Sequence, residues 1–363
     1  MKTRNFFQIS GLFFFIHVNG LSISEPGSSP YIKRANLDSI QIKSHIGRVI
    51  FWNVENLYDP YDDTTKLDDE FTAKGSRRWN WGRFSLKLNH VAKTLLAAGE
   101  WSPPDVVGLC EVENRYVLNK LIHETPLTRF GYRFVHHESP DLRGVDVALL
   151  YRPGRFRLLS EKSYTIRFPF DTLVQTRNIL MVKGYFPPDD TLVIFVTHWP
   201  SRRGGQEISS PRRRFVAGLV RSLADSVYKT NGLANILIMG DFNDEPEDPS
   251  LTDGLGAKTL LTGADTIGLF NLMGIRNRVA REGTLKFRDR WSTFDQFIVS
   301  APMITGKGGI LAGPGQAMVI RSGFLVEEDN TWFGEKMNRT YAGPRYHGGF
   351  SDHLPVLLNL LHP

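Results

Sequence analysis

Six short clusters in this 363-residue chain hold the side chains that could do chemistry: Asn53 with Glu55, Glu111, His198, Asp241 with Asn243, Asp295, and the Ser351-Asp352-His353 triplet. Taken singly, each has an ordinary explanation, because a carboxylate at a strand end often caps a turn and a lone histidine is more often a packed residue than a catalyst. Taken together, carboxylates, two histidines and two side-chain amides, with no G-x-S-x-G nucleophile turn, describe a metal-assisted site. Acidic oxygens select a hard cation, so Mg2+ is the expected ion and Mn2+ the alternative. The scarcity of His and Cys ligands argues against zinc. Such an ion beside histidines suits hydrolysis of a phosphate ester: the metal neutralises phosphoryl oxygens, a carboxylate orients or deprotonates water, and an imidazolium steadies the anion. Neither a G-x-x-x-x-G-K-[ST] run nor a G-x-G-x-x-G turn occurs, which sets aside nucleotide kinases and dehydrogenases.

These side chains need elements to position them. Phe84, Leu88, Val91 and Leu95, and again Phe215, Leu219, Leu223 and Val227, recur at three- and four-residue spacing, which predicts two amphipathic helices. Short apolar or β-branched runs at 49–52, 106–109, 147–150, 192–196, 236–239, 297–299 and 356–358 read as buried strands. Asn53 and Glu55, Glu111, His198, and Asp241 with Asn243 each follow such a run, whereas Asp295 and the Ser351-Asp352-His353 triplet precede theirs. All six clusters can meet at one sheet edge only if the last two strands run antiparallel to the others. The expected architecture is therefore a mixed or antiparallel sheet system with helices outside, in a single domain over 46–363. Two long excursions, 59–83 and 301–349, fall outside the strand pattern and are expected to run over the surface.

The first 24 residues differ from the rest. Lys2 and Arg4 precede an apolar run over 6–21 that is broken by Gln8, His17 and Asn19, followed by small residues. That layout reads as a secretory signal peptide rather than a membrane span, with a polar linker over 25–45 and a secreted or periplasmic destination. The one cysteine, Cys110, excludes an intramolecular disulfide and sits in an apolar run, so it is expected to pack. Composition is that of an ordinary globular protein, at 41% hydrophobic and 23% charged residues. The net charge is +6, with arginines bunched at Arg202-Arg203 and Arg212 to Arg214, which could follow a phosphate backbone or simply form a solvated face.

In order, Phe51-Trp52-Asn53-Val54-Glu55-Asn56, Gly108-Leu109-Cys110-Glu111, Thr197-His198, Gly240-Asp241-Phe242-Asn243, Phe294-Asp295-Gln296-Phe297 and Ser351-Asp352-His353 resemble the motifs of the endonuclease/exonuclease/phosphatase superfamily. G-D-x-N and S-D-H are weak alone, but all six in sequence over about 48–360 are specific. The resemblance implies a four-layered α/β/β/α sandwich with two mixed, mainly antiparallel sheets. It implies Glu111 as the main metal ligand with Asn53, Glu55 and Asp352 on the metal side, Asp241 orienting or deprotonating the attacking water, and Asn243 holding the phosphate or that water. His353 would contact the scissile phosphate, oriented by Asp295. His198 matches a histidine that deoxyribonucleases and sphingomyelinases of the superfamily carry, and departs from the abasic-site enzymes. The strings Val-Glu-Asn-Leu at 54–57 and Trp-Pro-Ser-Arg-Arg-Gly-Gly at 199–205 are similar to those of secreted bacterial members.

Beside these positions, Arg202 and Arg203 directly follow His198, and Arg143 lies with Asp141 and Asp146 before another strand; all three arginines are expected phosphate contacts. The expected activity is a metal-dependent nuclease acting on DNA or RNA. The alternatives are a phospholipid or inositol-phosphate phosphoesterase, for which Trp79, Trp81 and Trp332 could form a membrane-seeking rim, and a non-catalytic binding protein on the same fold. No stable membrane anchor or obligate protein partner is expected. Asn338-Arg339-Thr340 is a glycosylation sequon, of consequence only in a eukaryotic host.

Overall fold

A computed structural model of the chain describes residues 45–363 apart from 101, 189, 261–267 and 281. The expected signal peptide, and all of the linker except its last residue, lie outside the described residues. Each of the seven apolar runs forms a strand: β1 (His45–Leu57), β2 (Val106–Val112), β4 (Asp146–Tyr151), β7 (Asp190–His198), β8 (Asn235–Asp241), β13 (Asp295–Ser300) and β19 (Val356–Leu361). The remaining strands of the two large sheets are β3 (Arg133–His136), β5 (Arg157–Tyr164), β6 (Ile179–Phe186), β9 (Ala257–Lys258), β10 (Leu269–Asn271) and β14 (Ala317–Val319). Three two-stranded hairpins complete the set: β11 (Leu285–Phe287) with β12 (Arg290–Ser292), β15 (Val326–Glu328) with β16 (Glu335–Met337), and β17 (Tyr341–Ala342) with β18 (Arg345–Tyr346).

One sheet runs β14-β19-β1-β2-β4-β3 and the other β5-β6-β7-β8-β13-β10-β9. Within them β1–β2, β7–β8 and β10–β9 are parallel, and every other pair is antiparallel. The antiparallel requirement deduced for Asp295 and the Ser351-Asp352-His353 triplet is met. β13 runs against β8 with Asp295 opposite Asp241, and β19 runs against β1 with Phe51 opposite Val356.

The strands read as unbroken apolar runs because both faces of each sheet are covered. Alternate residues serve different cores: Val49 and Phe51 of β1 pack between the sheets, and Ile50, Trp52 and Val54 pack outward. On β8, Leu237 and Met239 face the other sheet, while Ile236 and Ile238 face outward. The outward side of the first sheet is closed by α1 (Trp81–Ala98) and α2 (Arg115–His123), and that of the second by α3 (Gln206–Thr230). Two short helices, α4 (Leu272–Ala280) and α5 (Ala301–Thr305), flank β13. The result is the α/β/β/α sandwich with two mainly antiparallel sheets.

The first expected helix is α1, with Phe84, Leu88, Val91 and Leu95 all buried and Asn80 capping its start through Arg83 N. The second needs an adjustment. Phe215, Leu219, Leu223 and Val227 are only partly buried, and the centre of the α3 stripe is Arg213, Val216, Ala217, Val220 and Ala224. The four-residue spacing marked the shoulder of the helix rather than its contact face, because an arginine occupies one turn of that face.

The 59–83 excursion is anchored rather than free. Phe71 stacks on Tyr58 with ring centroids 4.3 Å apart, and Trp79 is fully buried with Nε1 donating to Tyr58 O at 2.8 Å. Trp79 is therefore a core plug and not part of a membrane-seeking rim, whereas Trp81 and Trp332 are exposed. Among the described residues no helix is long and apolar enough to cross a membrane.

Candidate active site

The site lies where β1, β2, β7 and β8 end and β13 and β19 begin. Glu111 does not simply follow β2: the ladder with β1 breaks between Asn53 and Leu57, and that with β4 breaks between Cys110 and Val112. Within this bulge Glu55, Asn56 and Glu111 have φ of 52°, 54° and 61°, and Asn243 beyond β8 has 51°. Two of the four are asparagines, which enter the left-handed region readily, but Glu55 and Glu111 there cost roughly 1–3 kcal/mol each, strain that only a strongly determined surrounding structure sustains. A bulge re-aims side chains that regular pleating would send into the sheet interior. Here it leaves Glu111 at the edge, with Oε2 accepting from Asn56 N at 2.9 Å and Oε1 4.0 Å from Arg143 Nη1.

Asp241 is the hub. Its Oδ2 accepts from Asn53 Nδ2 at 3.0 Å and lies 3.6 Å from His198 Nε2 and 3.8 Å from His353 Nε2, while Oδ1 accepts from Asn243 N at 2.9 Å. On the far side of the His353 ring, Nδ1 is 2.6 Å from Asp295 Oδ2. The backbone sets these meetings: His198 and Asp241 are register partners on parallel strands, and Asp241 and Asp295 are partners on antiparallel ones. Gly240 makes the first possible, since a Cβ there would sit 2.3 Å from Thr197 O. Ser351 Oγ donates to Asn53 O at 2.7 Å and accepts from His353 N at 3.1 Å, tying the last cluster to the first.

The two histidines differ in charge. Burial drives His198 well below the ordinary imidazole range, with Arg177, Arg143 and His353 adding to it, so its ring is neutral. Burial acts in the same direction on His353, but the Asp295 and Asp241 carboxylates outweigh it and hold that ring well above the ordinary range. Burial pushes Asp241 up to about 6 against the His353 charge, with Asp295 adding to the rise.

Other expected residues are placed differently. Glu55 is buried, its oxygens accepting from Thr340 N at 2.7 Å and Tyr341 N at 3.3 Å. Asp352 pairs with Arg339 at 2.9 Å, and the same guanidinium lies 3.6 Å from Glu55. Asn243 Nδ2 donates to Trp199 O at 3.1 Å, so this amide braces the turn after His198.

Arg202 is not presented to a ligand. It donates to Asn243 O at 2.7 Å, Asp244 Oδ1 at 2.9 Å and Asp248 Oδ2 at 2.5 Å, and lies over the Phe294 ring. Its planar fork is occupied by the carboxylates supplied by the turn after β8. Arg212 pairs with Asp171, and Arg213, wholly buried, lies 2.7 Å from Asp244. Arg203 is exposed, and Arg143 is about two-fifths exposed beside Glu111.

Three residues complete the site without having been singled out in the sequence. Arg177 is buried, donating to Trp199 O at 2.7 Å and Asp141 Oδ2 at 3.2 Å. Asp141 in turn accepts from Arg143 N at 3.0 Å. Arg177 lies two residues before the apolar start of β6, which runs against β7, so the strand-edge rule that found Asp295 would have found it. Lys87 reaches through the core from α1 to donate to Thr340 Oγ1 at 2.5 Å and to Phe350 O. Burial lowers its amine to about 8, against the raising effect of Glu55. Arg339, part of the Asn338-Arg339-Thr340 sequon, links Asp352 and Glu55. Lys87 stands on the buried face of α1, three residues after Phe84 and four before Val91, so a charged residue on the apolar stripe is the sequence signal that could have found it.

The oxygen donors fit a hard cation. Glu111 Oε1 has Arg143 4.0 Å away, and Asn53 Oδ1 accepts only from Glu55 N at 3.0 Å, so both face the edge with capacity to spare. Glu55 fits less well, because both of its oxygens accept backbone N–H groups. Ligand atoms of Asp241, Asp295 and His353, and of Cys110, His198 and Asp241, also lie within 4.8 Å of one another. The first set is the hydrogen-bonded Asp295–His353 pair with Asp241, and both sets are wholly buried.

Comparisons with known proteins agree with this architecture. The catalytic domain of human Nocturnin, in a structure with bound sulfate, superposes with a TM-score of 0.52 at 15% identity, covering 89% of this chain and 97% of that one. A mannosyl-6-phosphatase of Bacteroides thetaiotaomicron gives 0.53 at 16% identity, covering 86% and 99%. A humanized D. rerio TDP2 gives 0.51 at 18%, covering 86% and 98%. No curated protein matches at a significant level. The model of the Endonuclease/Exonuclease/phosphatase family matches residues 48–362, from the first strand through the last, so this chain belongs to that family of phosphoester hydrolases.

Proposed function

We propose that this protein hydrolyses phosphodiester bonds of DNA or RNA with a divalent cation, Mg2+ in the first instance and Mn2+ as a substitute. The observation that carries the reading is the Asp241 carboxylate, with one neutral imidazole and one Asp295-paired imidazole within 4 Å of the same oxygen. Glu111 and Asn53 would hold the cation, which supplies neutralisation of phosphoryl charge. Asp241, raised to about 6, is matched to accept the proton of a water that attacks phosphorus as the P–O ester bond opposite breaks. His353, kept charged by Asp295, steadies the negative charge that develops on the phosphoryl oxygens. His198, neutral and buried, holds Asp241 in place. Asp352 lies behind this group and supports it through Arg339 and Glu55.

Arg143 and Arg203 are the arginines left to meet a phosphate backbone, because Arg202 is engaged internally. That loss shortens the basic track and favours a second reading, hydrolysis of a compact phosphoester such as an inositol phosphate or a phospholipid headgroup. The residues before His45 carry the secretion reading: a charged start, an apolar core and small residues ahead of a polar stretch.

The test is hydrolysis by the purified chain, with Mg2+, Mn2+ or chelator, of plasmid, single-stranded DNA, RNA, sphingomyelin, inositol phosphates and sugar phosphates. Cleavage of nucleic acid that chelator abolishes is expected. Turnover confined to the small phosphoesters would replace the first reading by the second, and no turnover of any would remove both.

A further inference from the structure

A second basic surface, apart from the arginines expected to meet phosphate, joins two stretches distant in sequence. Residues 72–99 carry six lysines and arginines and no acid, and residues 336–351 carry Lys336, Arg339, Arg345 and His347, again with no acid. The fold brings the two together. Arg77 Nη1 donates to Gly343 O at 2.6 Å, its guanidinium lies 4.9 Å from the centre of the Tyr341 ring, and that of Arg83 lies 4.0 Å from the centre of the Tyr346 ring. The start of α1 and the residues just before it therefore grip the β17–β18 hairpin.

This hairpin and β15–β16 together line a cavity of about 470 Å³, walled by Lys336, Met337, Arg339, Arg345 and His347, with Glu327 its one acidic residue. That volume is in the range of sites that take a small ligand. Glu327 is committed to its neighbours, 2.7 Å from His347 Nε2 and 3.5 Å from Lys336 Nζ. The exposed Arg345 side chain has no ion-pair or hydrogen-bond partner among the described residues. Arg339 meets Asp352 through Nη2, while its Nε is buried without a hydrogen-bond partner, 3.6 Å from Glu55. A guanidinium has five N–H donors in a fork suited to oxyanions, and most of those on Arg339 are unspent.

Arg339 also joins the cavity to the catalytic edge. Its partner Asp352 is the residue before His353, and successive Cα atoms are about 3.8 Å apart. Thr340, the next residue, donates to Glu55 Oε2 at 2.7 Å. One substrate molecule can thus present one phosphate at His353 and another in the cavity.

We propose that Arg345, Arg339 and Lys336 form a second phosphate subsite, which binds a phosphate of the substrate other than the one that is cleaved. The inference rests on the phosphoester-hydrolase reading and deepens it, because the substrate is then a polyanion. A strand of nucleic acid and a compact polyphosphate share this chemistry. The acid-free surface over 72–99 continues beyond the cavity, as a strand requires and a compact ligand does not.

The experiment measures binding in chelator, so that nothing is cleaved: fluorescein-labelled oligothymidylate by anisotropy across a salt series, and inositol hexakisphosphate by calorimetry. The full chain is used as wild type, Arg345→Met, Lys336→Met and Arg214→Met. Arg214 is an exposed arginine of α3, which covers the other sheet, and controls for the loss of one charge. Arg345→Met should melt as wild type does and weaken oligothymidylate binding about tenfold at low salt. The slope of log K against log salt should flatten by about 0.7, the share of one contact on a single strand. Lys336→Met repeats the loss from the other hairpin, and Arg214→Met should change affinity by less than about twofold. Weakening confined to the oligonucleotide assigns the second phosphate to a strand, and weakening toward inositol hexakisphosphate assigns it to a compact polyphosphate. Wild-type affinity of Arg345→Met and Lys336→Met for both ligands, an equal loss in Arg214→Met, or no binding of either ligand by the wild type would overturn the proposal. Hydrolysis does not enter the readout, so that failure is separate from a failure of the nuclease reading.

Discussion

Replacing Asp295 by Asn removes the negative charge that lies 2.6 Å from His353 Nδ1 and keeps an oxygen able to accept the same hydrogen bond. Geometry should survive while the electrostatics change. A hydrogen bond between charged groups contributes about 1.5–3 kcal/mol against about 0.5–1.5 for a neutral one, so at least about 1 kcal/mol is lost. Breaking a buried pair by removing one charge costs up to about 3–5 kcal/mol, which sets the upper bound. At about 1.4 kcal/mol per pH unit, His353 should fall by about 1–3 units. Burial, which already pulls it down, is then opposed by Asp241 alone among the two main carboxylates.

If the charged ring is the working form, the alkaline limb of kcat/KM must move down by that amount, and kcat near neutrality should drop by about 10²–10⁴-fold. The effect on stability has a definite sign. A histidine held above its unfolded value stabilises the fold fully below about pH 6.5, and loses that contribution as pH rises through the folded value. The Tm deficit of Asp295→Asn should therefore be largest near pH 6 and shrink toward alkaline pH. The assay is kcat/KM for a chromogenic phosphodiester from pH 5 to 10 at saturating Mg2+, with melting curves across the same range. An unmoved alkaline limb with turnover within threefold of wild type would refute the assignment of His353 and its partner.

Arg202→Met should act on the fold rather than on substrate affinity. It leaves Asp248 with no ion-pair partner, only the Glu245 N–H, and Asp244 with Arg213 and the Ser250 hydroxyl, and after discounting for partial exposure the cost is about 2–3 kcal/mol, read as a Tm lowered by several degrees with KM little changed. A raised KM at unchanged Tm would restore the phosphate-contact role. Gly240→Ala places a Cβ 2.3 Å from Thr197 O, and should separate the parallel pair that sets His198 beside Asp241, lowering kcat at least about tenfold and Tm with it. Wild-type kinetics would show that the strands yield without cost. In the wild type, ionisation of Asp241 should set an acid limb of kcat/KM near pH 6, because burial raises it there, and a limb below pH 4.5 would show that another group accepts the proton.

Much of the site was legible because both of its rules are local. Short apolar runs with a polar residue at one end specify a buried strand and the edge at which its last side chain emerges. Whether that residue follows or precedes the run specifies strand direction, which is why Asp295 and His353 required antiparallel neighbours and have them. Trp79 and the arginines illustrate the opposite case. A tryptophan in a long excursion and a run of basic residues have the same local pattern whether they face water or the interior, and only the packing of Tyr58 and Phe71, or the approach of Asp171, Asp244 and Asp248, decides.

Sequence order alone thus determined seven of the strands, the relative directions of those that carry the six clusters, and most of the groups gathered at one edge. Tertiary structure decided their individual states. Hydrogen bonds and charge effects fall off within a few ångströms, so which histidine is charged, which glutamate is occupied by backbone amides and which arginine is free depend on neighbours from distant parts of the chain. Glu55 meets Thr340, His353 meets Asp295, and Lys87 reaches Phe350 only after the two sheets have closed on each other.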